Sequence, residues 1–332
     1  MFYSNEIGGL GMKTDLIQLY VDVRNNLEEL AERQGVSIEK YYHPNCSNWH
    51  SSPPNYFEEL CADIQDGGYI SGVIGFWGEY ARDKSNHPIL VKDIISEIFS
   101  GFQYSSALQF DNWKQLMNRF CEAMPNKVKK EKHWIDDVNK DMKPKTMWQQ
   151  YVEGLYEGAE YLAGCKRFEN TKSIDEFINA TPNSIEEAKK LLYQLRSLWS
   201  NVRGMGIPFC YNWIKECGAV WLAKPDLHIA RIVNAIIEHD YGSWDEFIIQ
   251  NPVYAKYEAI KGKPKIHYEE RVALFIWEWA NNIQKSGVDA DVSAYKLDRI
   301  LYLYCTNGRF YLDINNDRSI SEVGLLNMIC KE

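Results

Sequence analysis

Residues 203–218, Arg-Gly-Met-Gly-Ile-Pro-Phe-Cys-Tyr-Asn-Trp-Ile-Lys-Glu-Cys-Gly, followed by residues 219–231, Ala-Val-Trp-Leu-Ala-Lys-Pro-Asp-Leu-His-Ile-Ala-Arg, form the segment that sets the architecture. Two glycines, Gly204 and Gly206, stand one residue apart where the chain must reverse between helices. Glycine reaches positive φ without steric cost and leaves neighbouring backbone N–H groups uncovered, so a turn built on this pair can hold a phosphate.

Helical periodicity continues on both sides of the turn. Upstream, Ser184 to Ser200 places Ile185, Ala188, Leu191, Leu192, Leu195, Leu198 and Trp199 at intervals of three and four. Downstream, Phe209 to Val220 has the same spacing, and Gly218 suits a helix C-terminus. Pro225 disfavours the α region at Lys224, which puts Asp226 at or next to the start of a further helix. That helix carries Leu227, Ile229, Ile232, Val233, Ile236 and Ile237.

A Gly-x-Gly turn between helices, with Asp-x-His-x-x-Arg about one helix later, resembles the helix-hairpin-helix (HhH-GPD) superfamily of DNA glycosylases. The matching residues are Gly204, Gly206, Asp226, His228 and Arg231, within a resemblance covering roughly residues 184–239. It implies a mainly all-α fold of two packed helical subdomains, with the active site in the cleft between them. It also implies that Asp226 is the catalytic carboxylate and that Arg203, Gly204, Met205, Gly206 and Ile207 bind the DNA backbone. In many members a lysine two residues after the second glycine forms a Schiff base with the sugar. Here that position is Pro208, so the resemblance implies base removal without strand nicking. Lys224 is a substitute amine that nothing in the sequence aims at the site. His228 is expected as a hydrogen-bonding residue and Arg231 as a partner of backbone or phosphate.

Taken without the resemblance, Asp226 is also a sufficient N-cap, a role worth about 1 kcal/mol. The same hairpin is compatible with a non-catalytic DNA-binding module. A third possibility is a protein-interaction role for the acidic N-terminal region. The substrate class implied is double-stranded DNA with a modified base: alkylated or oxidised purines, mismatched thymine or uracil, or hypermodified cytosines of phage DNA removed in antiviral defence.

The composition bounds these readings. With 332 residues, 45% of them hydrophobic and 14% aromatic, the chain can bury a large core. No apolar run is long enough for a membrane span. The N-terminal residues lack a basic-then-apolar leader, so a cytoplasmic monomer is expected. The net charge of −9 is uneven, because residues 1–100 hold 15 acids against 7 bases. From Lys189 to Arg231 there are seven Lys/Arg against Glu216 and Asp226, a local basic face or simply solvated helix surfaces. Residues 125–147 hold seven lysines against four acids and read as a connector.

No cofactor and no metal are expected. His43, Cys46, His50 and Cys61 match no trusted zinc spacing, and Cys305 and Cys330 are too few for an iron–sulfur cluster. Gly72 to Gly78 lacks the Lys-Ser/Thr of a nucleotide-binding loop. Phe102, Gln103, Tyr104 and Gln109 suit either stacking on an extruded base or ordinary core and cap positions.

Three regions follow: 1–100, an acidic N-terminal helical region; 101–240, a helical core containing the hairpin (184–220) and the Asp segment (224–239); and 241–332, a C-terminal helical region. A helix is expected from Thr14 or Asp15 to about Gln34. Strands are not expected, except for a brief one at Arg309 to Leu312.

Overall fold

A computed structural model describes residues 13–44, 55–66, 71–82, 87–128, 146–308 and 320–330. Several positions read from the sequence lie outside these residues: Cys46 and His50, the connector lysines between 129 and 145, and the strand expected at Arg309 to Leu312.

The chain is mainly helical. In order, the helices are α1 (Leu16–Arg33), α2 (Tyr56–Asp66), α3 (Ser71–Ile74), α4 (Val91–Ile98), α5 (Tyr104–Ala107), α6 (Trp113–Ala123), α7 (Met147–Leu162) and α8 (Ile174–Ile178). They continue as α9 (Ile185–Trp199), α10 (Ile207–Glu216), α11 (Leu227–Tyr241), α12 (Trp244–Gln250), α13 (Tyr268–Ser286), α14 (Ala294–Cys305) and α15 (Glu322–Ile329). Among the described residues, no helix is long and apolar enough to cross a membrane.

The two strands that the sequence did not announce are β1 (Tyr80–Arg82) and β2 (Pro88–Leu90), paired antiparallel with Ala81 opposite Ile89. Three residues each are too few to show the alternation by which a strand is read.

Contacts group the chain into two compact units: residues 1–49, 180–193 and 218–332 form the first, and 50–179 with 194–217 form the second. In the first unit, Asp15 caps α1 by accepting from the N–H groups of Ile17 and Gln18. That fixes the rotation of the helix and turns Leu19, Tyr20, Val23, Leu27 and Leu30 into the core. α1 packs on α13 and α14, and the Trp279 indole donates to the Leu16 carbonyl at 2.8 Å. α11 packs against α12, α13, α14 and α15. Its buried row is Ile229, Ile232, Val233, Ile236 and Ile237. Leu227, expected in that row, is instead 62% exposed, because the first position of the helix points off its end.

In the second unit, α2 packs on α7 and α10, and α6 on α7. Phe57, Phe99, Phe120, Trp148 and Tyr151 form a chain of edge-to-face and tilted aromatic contacts at its core. Two glycines allow α7 to approach closely. A methyl group on Gly154 would collide with the Arg203 carbonyl oxygen, and one on Gly158 with the Leu60 side chain. α7 therefore lies directly beneath the turn between α9 and α10.

Candidate functional site

The turn between α9 and α10 uses its two glycines differently. Gly204 has φ +78°, the left-handed conformation that glycine adopts without cost. Gly206 does not share it. Its φ of −65° and ψ of 169° make it the N-cap of α10, and Pro208 follows within the first turn. No side chain caps that helix. The N–H groups of Gly204, Gly206 and Ile207 have no acceptor in the chain among the described residues. Gly206 is exposed, and a Cβ there would touch only Pro208 Cδ, at an ordinary contact distance of 4.0 Å. Met205 and Ile207 are buried and anchor the turn, so they contribute only their backbone to its surface.

Acids on α7 hold the turn in place. The Arg203 N–H donates to Glu157 Oε2 at 2.6 Å and its Nε to Glu153 Oε2 at 2.9 Å. Arg167 pairs with Glu157 and Glu160, each at 3.1 Å, and also donates to the Asn201 carbonyl. Burial, and then the neighbouring Glu157, push the Glu153 carboxyl up despite the Arg203 charge. Arg203 is therefore already paired within its own unit.

The basic surface expected around the turn is thinner than the composition suggests. Lys189 is buried and bonded to Glu186, and Lys215 is buried against Glu216. Composition counts charges without regard to the partner each one meets.

The second set of candidate residues belongs to the first unit. Lys224, Pro225 and Asp226 form a three-residue turn closed by the Asp226 N–H on the Lys224 carbonyl at 2.8 Å. The Lys224 N–H donates to Asp298 Oδ1 at 3.2 Å, which ties this turn to buried Asp298 on α14. Asp226 is the N-cap of α11, its Oδ1 accepting from the N–H groups of His228 at 2.9 Å and Ile229 at 3.0 Å. Among the described residues, the chain gives Oδ2 no partner. A carboxylate fixed through one oxygen by two amides presents the other in a defined direction, in the positive field of a helix start.

His228 and Arg231 share one partner. Glu322, the first residue of α15, places Oε2 at 2.5 Å from His228 Nδ1 and Oε1 at 3.1 Å from Arg231 Nη1. Burial by itself pushes the Glu322 carboxyl up, but hydrogen bonds from His228 and Arg231 outweigh it and hold the group below the usual glutamate range. The Tyr302 ring stands edge-on to the imidazole, with centroids 6.0 Å apart. The buried Cys305 thiol is pushed up by desolvation and further by the charges of Glu322 and Asp226.

The structure thus brings Lys224, Asp226, His228 and Arg231 together around one helix start, and gathers Arg203 to Pro208 in the other unit. Glu322 had no signal in the sequence beyond a Ser-Glu helix start some ninety residues away. Of the aromatic and amide candidates, Phe102 is buried against Phe76, a core role, whereas Tyr104 is 39% exposed. Comparison of the chain with protein-family models, with curated proteins and with solved structures finds no match in any of the three.

Proposed function

We propose that the chain is a monofunctional DNA glycosylase of the helix-hairpin-helix kind, which turns a modified base out of the duplex and hydrolyses its N-glycosidic bond. The observation that carries this reading is the environment of Asp226. One carboxylate oxygen is committed to two backbone amides, the other has no partner among the described residues, and the residue stands twenty positions after a Gly-Met-Gly turn whose two glycine N–H groups have no acceptor among the described residues.

As the base departs, positive charge develops at the sugar C1′, and a fixed carboxylate lowers the barrier by opposing that charge without having to reorganise. The Gly206 and Ile207 amides at the start of α10 suit a phosphate of the flanking backbone, since they add hydrogen bonds to the positive end of a helix. Pro208 cannot form a Schiff base, which supports release of the base with the strand intact. A duplex or phage DNA bearing a modified base is the substrate class, handled without a cofactor. The test is release of free base, by wild type and by Asp226→Asn, from DNAs carrying alkylated and oxidised purines, mismatched uracil and thymine, and glucosylated hydroxymethylcytosine.

One observation favours a second reading. The N-cap bonds of Asp226 account for its presence without chemistry, as a non-catalytic DNA-binding module would require. Asp226→Asn separates the two, because asparagine caps a helix about as well as aspartate while lacking its charge. In a binding module that variant leaves DNA affinity unchanged and neither protein releases base.

A further inference from the structure

Glu322 and His228 form a carboxylate–imidazole pair two residues beyond Asp226. A carboxylate can only accept, so the hydrogen in the 2.5 Å contact sits on His228 Nδ1, and the lone pair of the neutral ring is on Nε2. Arg231 occupies the other Glu322 oxygen, which prevents the carboxylate from rotating away. The ring is 31% exposed, so it is neither sealed in the core nor free in solvent.

The ionisable surroundings are few. α11 contributes Asp226 and Arg231, α15 contributes Glu322, and α14 contributes Tyr302 at the ring edge and the Cys305 thiol nearby. Lys224 lies on the preceding turn, its N–H bonded to Asp298 of α14, and Tyr304 is turned to Met328 at 3.7 Å. Among the described residues, α12 and α13 place no ionisable partner on the imidazole.

Resting on the glycosylase reading above, we propose that His228 is the general base that accepts the proton of the attacking water through Nε2, with Glu322 as its positioning residue. The duties are then divided. The C1′–N bond breaks and its electron pair leaves with the base, while Asp226 faces the positive charge at C1′. The water oxygen bonds to C1′ and its proton passes to Nε2, giving an imidazolium whose other N–H stays on Glu322. The imidazolium then gives that proton to the departed base and returns neutral. An oriented base with a third group behind it is the general arrangement by which a weak proton acceptor is made effective. Ionised Glu322 favours the imidazolium by opposing its charge.

The test combines single-turnover base release across pH with nitrogen NMR of the imidazole, in wild type, His228→Gln and Glu322→Gln. Glutamine at 322 keeps an acceptor for Nδ1 and removes only the charge, so the fold is retained. The wild-type rate is expected to fall on the acid side as Nε2 becomes protonated. Glu322→Gln should reduce kcat with KM unchanged, because the imidazolium loses the charge that opposes its own. His228→Gln should abolish the acid limb and cost about 10²–10⁴-fold in rate. In the NMR spectra, the neutral wild-type ring should carry its proton on Nδ1. A wild-type kcat in Glu322→Gln, a wild-type rate in His228→Gln, or a proton on Nε2 would each overturn the assignment while leaving the glycosylase reading standing. Absence of base release by wild type from every DNA tested overturns the glycosylase reading, and the base assignment with it.

Discussion

Glu157 Oε2 accepts the backbone N–H of Arg203 at 2.6 Å, so a side chain from α7 supplies the acceptor that a reversing main chain cannot give itself. Because Arg203 immediately precedes the left-handed Gly204, this bond helps set the path of the turn. Glu157→Ala strands a part-buried amide and removes one of the two carboxylates paired with Arg167. It should destabilise the second unit by about 1–3 kcal/mol, seen as a lower denaturant midpoint and faster hydrogen exchange at Arg203.

Gly154 and Gly206 should respond in opposite ways to added atoms. Gly154→Ala drives a methyl into the Arg203 carbonyl and should cost about 1–3 kcal/mol through backbone displacement. Gly206→Ser meets only an ordinary contact with Pro208 Cδ, has a φ that serine adopts, and gives α10 the cap it lacks. Stability should therefore stay level or rise by a few tenths of a kcal/mol or more. The new hydroxyl would occupy the amides assigned to a phosphate, so DNA affinity should fall, measured by titration with a labelled duplex at fixed salt. A serine variant that is both stable and fully competent for DNA would remove α10 from the interface.

Asp289 ties together Tyr20 at 2.5 Å, Lys296 at 3.0 Å and Arg24 at 3.2 Å in the first unit. Burial alone pushes its carboxyl up, but the bonds from Tyr20 and Lys296 and the lysine charge outweigh that and hold it below the ordinary aspartate range. A lowered folded value means that the group contributes stability above its unfolded pKa, and that this contribution is lost as pH falls through the folded value. Asp289→Asn leaves two cations without their shared partner and should cost about 3–5 kcal/mol at neutral pH. Thermal melts from neutral to acidic pH should show the gap between wild type and variant closing as the pH drops.

Much of the helical scaffold was legible because its signals are local. Asp15 caps α1 where the first apolar row begins, Ser173 and Glu176 form a reciprocal capping box at α8, and the isoleucine row of α11 faces the core. The conformation of Gly206 was not legible, since glycine permits both signs of φ and the distinction depends on where α10 begins. β1 and β2 escaped notice because three residues carry no period. Within the site, the placement of Asp226 followed from Pro225 and the helix behind it. Glu322 could not be found, because its role depends on how α15 packs on α11, and no spacing along the chain records that. The burial of Lys189 and Lys215 is a packing outcome of the same kind.

Asp226→Asn tests the central claim most directly, since it preserves the helix cap and removes only the charge. Purified wild type and variant, matched for thermal stability, would be incubated with the set of modified DNAs; free base would be read by mass spectrometry and abasic sites by strand cleavage after alkali. The expected result is base release by wild type from at least one DNA, strands that break only after alkali treatment, and a loss on the order of 10²-fold or more in Asp226→Asn. Equal release by the two proteins would contradict the assignment of Asp226, and no release from any DNA would contradict the glycosylase account itself.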